Sequence, residues 1–170
     1  MVWSRSRVQL LLVTVLMSML LAHTFFGATA YAADSTPAIL TPEEQALTSL
    51  LLAARDDAGS NHLTVDPLIT LLAEDRSADM ATHNDFTHNP LDGKNVFNLL
   101  NAHSIPYQAV GETITMNQNF ANTAMEAANS FMRSPSHRAV LLDSRYTTIG
   151  VGHAVSATGA HYFAVILLSS

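Results

Sequence analysis

The segment Phe131-Met132-Arg133-Ser134-Pro135-Ser136-His137-Arg138 places a histidine two residues beyond a proline break. A residue before proline is pushed out of the helical region, whereas proline itself suits a first helical turn. Ser134 therefore reads as an N-cap and Pro135 as the first residue of a new helix. His137 then lies in that helix's opening turn, where unpaired N–H groups and the positive end of the dipole disfavour imidazolium. A neutral ring in such a place can accept a proton or bind a metal. Ser134 and Ser136 are close in sequence to this ring, but an N-cap serine spends its oxygen on backbone N–H groups, which argues against a serine nucleophile. There is no glycine-rich phosphate cradle, nucleophile elbow, cofactor fingerprint or compact His-Glu-x-x-His helix.

These groups need a scaffold, and the chain supplies its signals in order. Thr41-Pro42-Glu43-Glu44 is a capping box that starts a helix, with Ala46, Leu47, Leu50, Leu51 and Ala54 on its apolar side. Asp66-Pro67 starts a second, long helix reaching about His83, with Leu68, Leu71, Leu72, Asp75, Ala78, Asp79 and Met80 at helical spacing. Residues 84–92 form a loop holding Phe86 and His88. A short helix is predicted over 95–102, and the alternation from Tyr107 to Thr115 predicts a strand. Gly111 interrupts it, marking a bulge or a close approach that would re-aim Glu112. A helix from about Asn119 runs into the Ser-Pro-Ser-His break. A hairpin of 147–156 with 161–168 closes the chain. The order implies an α+β fold in which helices cover an antiparallel sheet of about three strands.

Arg5 and Arg7 precede an apolar run from Val8 to Phe26, and Ala30 and Ala32 give a small-x-small cleavage pattern. We expect a signal peptide over residues 1–32, a linker over 33–40 and one domain over 41–170. An uncleaved N-terminal helix acting as an anchor is the alternative. With no cysteine, an exported domain must hold together by packing alone. The net charge is −6, and removing the leader would make it more acidic, which excludes a nucleic-acid partner. A monomer is expected.

Arg55, Ala78-Asp79-Met80-Ala81, Phe86-Thr87-His88, Asp92-Gly93, Gly111-Glu112, Phe131, Ser134-Pro135-Ser136-His137-Arg138, Ile149-Gly150-Val151-Gly152 and Tyr162-Phe163 occur in an order that resembles the CAP superfamily. That superfamily comprises the cysteine-rich secretory, antigen 5 and pathogenesis-related 1 proteins, and the likeness is to its cysteine-free bacterial branch with the SCP domain. The resemblance implies an α-β-α sandwich with a solvent-facing cleft built from two histidines and two acids. It maps His88, Glu112 and His137 onto three of those positions. The second acid has no counterpart, and Ser134 falls in its neighbourhood. Thr113 replaces an asparagine of the pattern, as does Leu52.

Two neutral imidazoles and a carboxylate make a first shell for Zn²⁺ or another divalent cation, with one position left for water. Such a metal can lower the pKa of its water to about 7, which a hydrolase of peptide or cell-envelope material would use with Glu112 as base. The preferred expectation is a non-enzymatic binding or interaction module whose cleft takes a metal, a small ligand, a lipid or a cell-envelope component. Each residue also has a structural alternative: His88 tying a loop, His137 serving a helix start, Glu112 pairing with an arginine such as Arg138. His83, five residues before His88, is placed to flank the same opening. His62, His103, His153 and His161 carry no motif.

Overall fold

A computed structural model describes residues 40–91 and 93–169. The expected leader, and all but the last residue of the expected linker, lie outside them. Helix α1 (Pro42–Asp57) starts in the expected capping box: Thr41 Oγ1 accepts the Glu44 N–H at 3.3 Å, and Glu44 Oε2 accepts the Thr41 N–H at 2.8 Å. Helix α2 (Pro67–His83) is capped by Asp66, whose Oδ1 accepts the N–H groups of Leu68 and Ile69. Helix α3 (Val96–Ala102) follows, capped by Asn95. Helix α4 (Thr123–Arg133) begins later than the expected Asn119, because Asn122 takes the cap by accepting the Met125 N–H. Helix α5 (Pro135–Leu141) starts at the proline, as its spacing requires.

The sheet has four strands in the order β1-β3-β4-β2, formed by β1 (Thr64–Val65), β2 (Ala109–Asn117), β3 (Thr148–Val155) and β4 (His161–Ser169). Three of these are the expected antiparallel set. The fourth, β1, is a two-residue strand parallel to β3 that lies outside the expected set. Two residues leave no room for an alternating pattern, so periodicity carries no signal there.

Helices α1, α4 and α5 cover one face, where Leu47, Leu51, Phe131 and Leu141 meet Ile149, Val151, Phe163, Val165 and Leu167. Helices α2 and α3 cover the other, packing Ile69, Leu72, Ala73, Val96 and Leu100 on Ile166 and Leu168. At the far end of α2, Met80 meets Ile114 and Tyr162. The result is the expected α-β-α sandwich.

The phase of α2 differs from the expectation. Its buried side is Ile69, Leu72, Ala73, Arg76, Ser77 and Met80, while Leu71 is half exposed and Asp75 and Ala78 face solvent. Gly150 and Gly152 explain this, since a Cβ on either would lie 2.1–2.4 Å from the backbone of Ile69–Thr70 or Ala73–Glu74. Two bare Cα positions on β3 let α2 settle directly on the strand, and the contact selects which side turns inward. Arg55, also fully buried, ends α1 by donating to the carbonyls of Leu141 at 2.6 Å and Asp143 at 3.1 Å, which ties α1 to the end of α5.

Candidate functional site

Strand β2 is at the edge of the sheet, and its alternation turns Glu112 and Ile114 toward α2. Its pairing with β4 runs unbroken from Ala109 to Asn117, so Gly111 makes no bulge. It is instead a close approach. A Cβ there would meet Tyr146 Oη at 2.7 Å and Val140 Cγ1 at 2.8 Å.

Glu112 finds its cation in Arg76 of α2, not in Arg138. Arg76 Nε donates to Glu112 Oε1 at 2.8 Å, Nη2 donates to the Thr87 carbonyl at 2.7 Å, and Nη1 lies 3.6 Å from Asp79 Oδ2. The Arg76 side chain is 0% exposed and the Glu112 side chain 4%. This is therefore a desolvated ion pair, in which neither charge tolerates loss of the other. The second Glu112 oxygen, Oε2, accepts from His88 Nδ1 at 2.6 Å. His88 itself is half exposed. With Nδ1–H donated to the carboxylate, a neutral His88 keeps Nε2 as a free acceptor turned away from that bond. The buried Arg76 thus fixes both the carboxylate and, through Thr87, the loop that carries His88.

His137 lies close enough for His88 to act on it electrostatically. Burial first, and the neighbouring His88 second, lower its pKa below the ordinary 6.5, which favours the neutral ring. Its ring meets Phe131 edge-on, with centroids 5.5 Å apart, and its Nδ1 is buried without a hydrogen-bond partner. Ser134 occupies the N-cap position but its Oγ caps nothing. It pairs with Ser136 Oγ at 3.1 Å, contrary to the expectation that it would accept a backbone N–H. Among the described residues no three His, Asp or Glu side chains are grouped as a ready metal shell. Both Glu112 oxygens are engaged, Oε1 by Arg76 and Oε2 by His88, so the carboxylate lies behind the His88 ring.

His83 joins the same network through Asp79. Its Nδ1 lies 3.1 Å from Asp79 Oδ1, and Asp79 Oδ2 lies 3.6 Å from Arg76 Nη1. It lines an open hollow of about 650 Å³ with Asp79, Asn84, Asp85, Thr87, Asn89, Pro90 and Leu91. The sequence reading missed Arg76 altogether. Its signal was present, because Leu72, Arg76 and Met80 recur every four residues, and a charged residue on an apolar stripe has to be paired.

The family model described as CAP, the cysteine-rich secretory protein family, matches residues 49–168 of this chain. The chain belongs to the CAP family. The uncharacterized protein YkwD of Bacillus subtilis is 29% identical over 124 residues, which are 73% of this chain and 47% of that protein. The CAP chain described here thus spans about half the length of that relative. An outer surface protein of Borrelia burgdorferi has the same fold, with a TM-score of 0.67 and 18% identity over 75% of this chain and 92% of the other. An extracellular SCP-domain protein of Bacillus anthracis aligns with a TM-score of 0.65 and 23% identity, covering 77% and 44% of the two chains. Among the described residues, no helix of this CAP domain is long and apolar enough to cross a membrane.

Proposed function

We propose that this CAP domain is an exported binding module without catalytic turnover, and that its His88–His137 cleft takes a divalent cation such as Zn²⁺ or a small ligand held by the imidazoles. The observation that carries the reading is the Arg76–Glu112–His88 chain, in which a buried guanidinium holds a carboxylate and the carboxylate holds one ring nitrogen. A carboxylate behind a histidine fixes the tautomer and aims the outer nitrogen, which is how proteins prepare imidazole to bind metal. His88 and His137 would hold the ion, and Glu112 would stand behind His88. When bound, the ion would supply Lewis acidity and an open position for a ligand or water. Export is supported by relatives described as extracellular and outer-surface proteins.

Hydrolysis with Glu112 as base is the less favoured reading, because a base needs a free oxygen and both of these are engaged in a desolvated network. Ser134 is turned toward Ser136 rather than toward His137. A lipid would instead lie against the shallow depression formed by Met132, Pro135, Ala139 and Leu142.

Titration with Zn²⁺ by calorimetry tests the cleft. We expect one site in the natural protein, none at these residues in His88→Ala/His137→Ala, and affinity reduced by about 10- to 100-fold in Glu112→Gln. Undiminished binding by the double variant would remove the cleft as the metal's place. Metal-dependent turnover of a peptide or peptidoglycan panel would restore the hydrolase.

A further inference from the structure

The hollow beside His83 offers a second prepared imidazole. His83 Nδ1 meets both Asp79 Oδ1 and the Asp79 carbonyl at 3.1 Å. Asp79 is 7% exposed and is fixed in turn by Lys94 Nζ at 3.2 Å and by the charge of Arg76. With Nδ1–H donated to Asp79, a neutral ring keeps Nε2 as a free acceptor. One buried guanidinium therefore stands behind two imidazoles, His88 through Glu112 and His83 through Asp79.

The backbone around the hollow is already tied in place. Asn84 ends α2 in the left-handed region, and its Oδ1 accepts from Tyr162 Oη at 2.8 Å. The Asp85 N–H donates to the Met80 carbonyl at 3.3 Å, and the Thr87 carbonyl is held by Arg76. Against that fixed backbone several side-chain groups have nothing to bind. The Asp85 carboxylate and the Asn89 amide have no side-chain partner among the described residues. The Asn84 Nδ2 is left over from the bond to Tyr162, and Thr87 Oγ1, which accepts the Asn89 N–H at 3.2 Å, retains its own proton to donate. These four residues and His83 line one hollow.

We propose that this hollow is a binding site for a neutral saccharide, separate from the His88–His137 cleft and independent of any ion there. The inventory of free groups selects the class of ligand. His83 Nε2 and Asp85 only accept, Asn84 Nδ2 and the Thr87 hydroxyl donate, and Asn89 does both. A hydroxyl is donor and acceptor at once, so a ring carrying several satisfies both kinds together. An ammonium would leave the donors unmet, and an anion would face the carboxylates of Asp79 and Asp85. Pro90 and the fully exposed Leu91 add an apolar flank for the C–H face of a pyranose. The volume of about 650 Å³ lies within the roughly 300–1,000 Å³ of small-ligand sites, and a lining this polar suits a ligand held by hydrogen bonds. A free sugar and one unit of a glycan chain share this chemistry.

The test is an NMR titration of the natural protein, freed of metal with EDTA. The probes are glucose, mannose and N-acetylglucosamine, their trisaccharides maltotriose, mannotriose and chitotriose, and trigalacturonate as an anionic counterpart. We expect at least one neutral sugar to shift the amide resonances of His83, Asp85, Thr87 and Asn89 first, and trigalacturonate to shift them least. Asp85→Ala should weaken that sugar's binding by at least about tenfold, the loss of one hydrogen bond to a charged group, while its calorimetric Zn²⁺ titration stays unchanged. The Asp85 side chain has no partner to lose, so this variant keeps the fold. A trisaccharide that binds more tightly than its monosaccharide identifies a glycan chain as the occupant, and equal binding identifies a free sugar. No shift at these four residues with any neutral sugar, shifts as large with trigalacturonate, or unchanged affinity in Asp85→Ala would overturn the assignment, whatever the cleft does with Zn²⁺.

Discussion

Replacing Arg76 with methionine is the most informative perturbation, because the side chain is fully buried and joins two carboxylates and a loop carbonyl. Methionine keeps most of the volume and the aliphatic stem, so the change isolates the charge and its donors. It strands Glu112, whose side chain is 4% exposed, with only His88 to offset its charge, and it leaves the Thr87 carbonyl without its donor. Breaking a buried pair by removing one partner costs about 3–5 kcal/mol, and burial this deep leaves no reason to discount that for solvent screening. Urea denaturation followed by circular dichroism measures the loss as a shift in midpoint at constant slope. Glu112→Gln alone should cost about 1–3 kcal/mol, since Arg76 keeps Asp79. The double variant should be more stable than the sum of the two single losses implies, by about 1–3 kcal/mol, because the stranded carboxylate is then gone. Strict additivity, or a loss below about 1 kcal/mol for Arg76→Met, would refute the account of Arg76 as the group that holds Glu112 in place.

The remaining expectations concern packing and protonation. Gly152→Ala should destabilise by about 3 kcal/mol or more in the same assay, because its Cβ would sit 2.1 Å from the Ala73 backbone, whereas Gly59→Ala, at φ +69° with open space around it, should cost only about 1–2 kcal/mol. Burial, followed by a neighbouring histidine, lowers the pKa of both His137 and His153 below 6.5. The unfolded chain therefore binds protons more readily than the folded one, and the stability these rings contribute is complete above pH 6.5 and lost as pH falls below it. Unfolding free energies between pH 7.5 and 5 should show that decline, and a flatter slope in His137→Gln/His153→Gln would assign it. An unchanged slope in that variant would place the decline elsewhere.

Local chemistry was readable along the chain. Thr41, Asp66 and Asn95 cap helices because short polar side chains before an apolar-periodic run satisfy backbone N–H groups wherever they occur. Pro135 starts α5 for an equally local reason. Asn122 was the exception, since Asn119 offers the same chemistry three residues earlier, but Asn119 lies at φ 65° in the left-handed region while Asn122 holds the extended conformation of an N-cap. The buried side of α2 was misjudged by about one position, because Arg76 belongs to it and looks like a surface residue in isolation. The site showed the same division. His88, Glu112 and His137 were named from the sequence, but Arg76, which fixes the first two, was not.

The sequence by itself determined the helix starts other than that of α4, the strand alternation and the family, because each depends on residues near one another in the chain or on their order. Tertiary structure alone decided that Glu112 pairs with Arg76 while accepting from His88, that His83 joins that network through Asp79, and that His153 meets His161. Those outcomes follow from where Gly150 and Gly152 let α2 settle and from strand register. A pairing across 36 residues, such as Arg76 with Glu112, has no local cause to read.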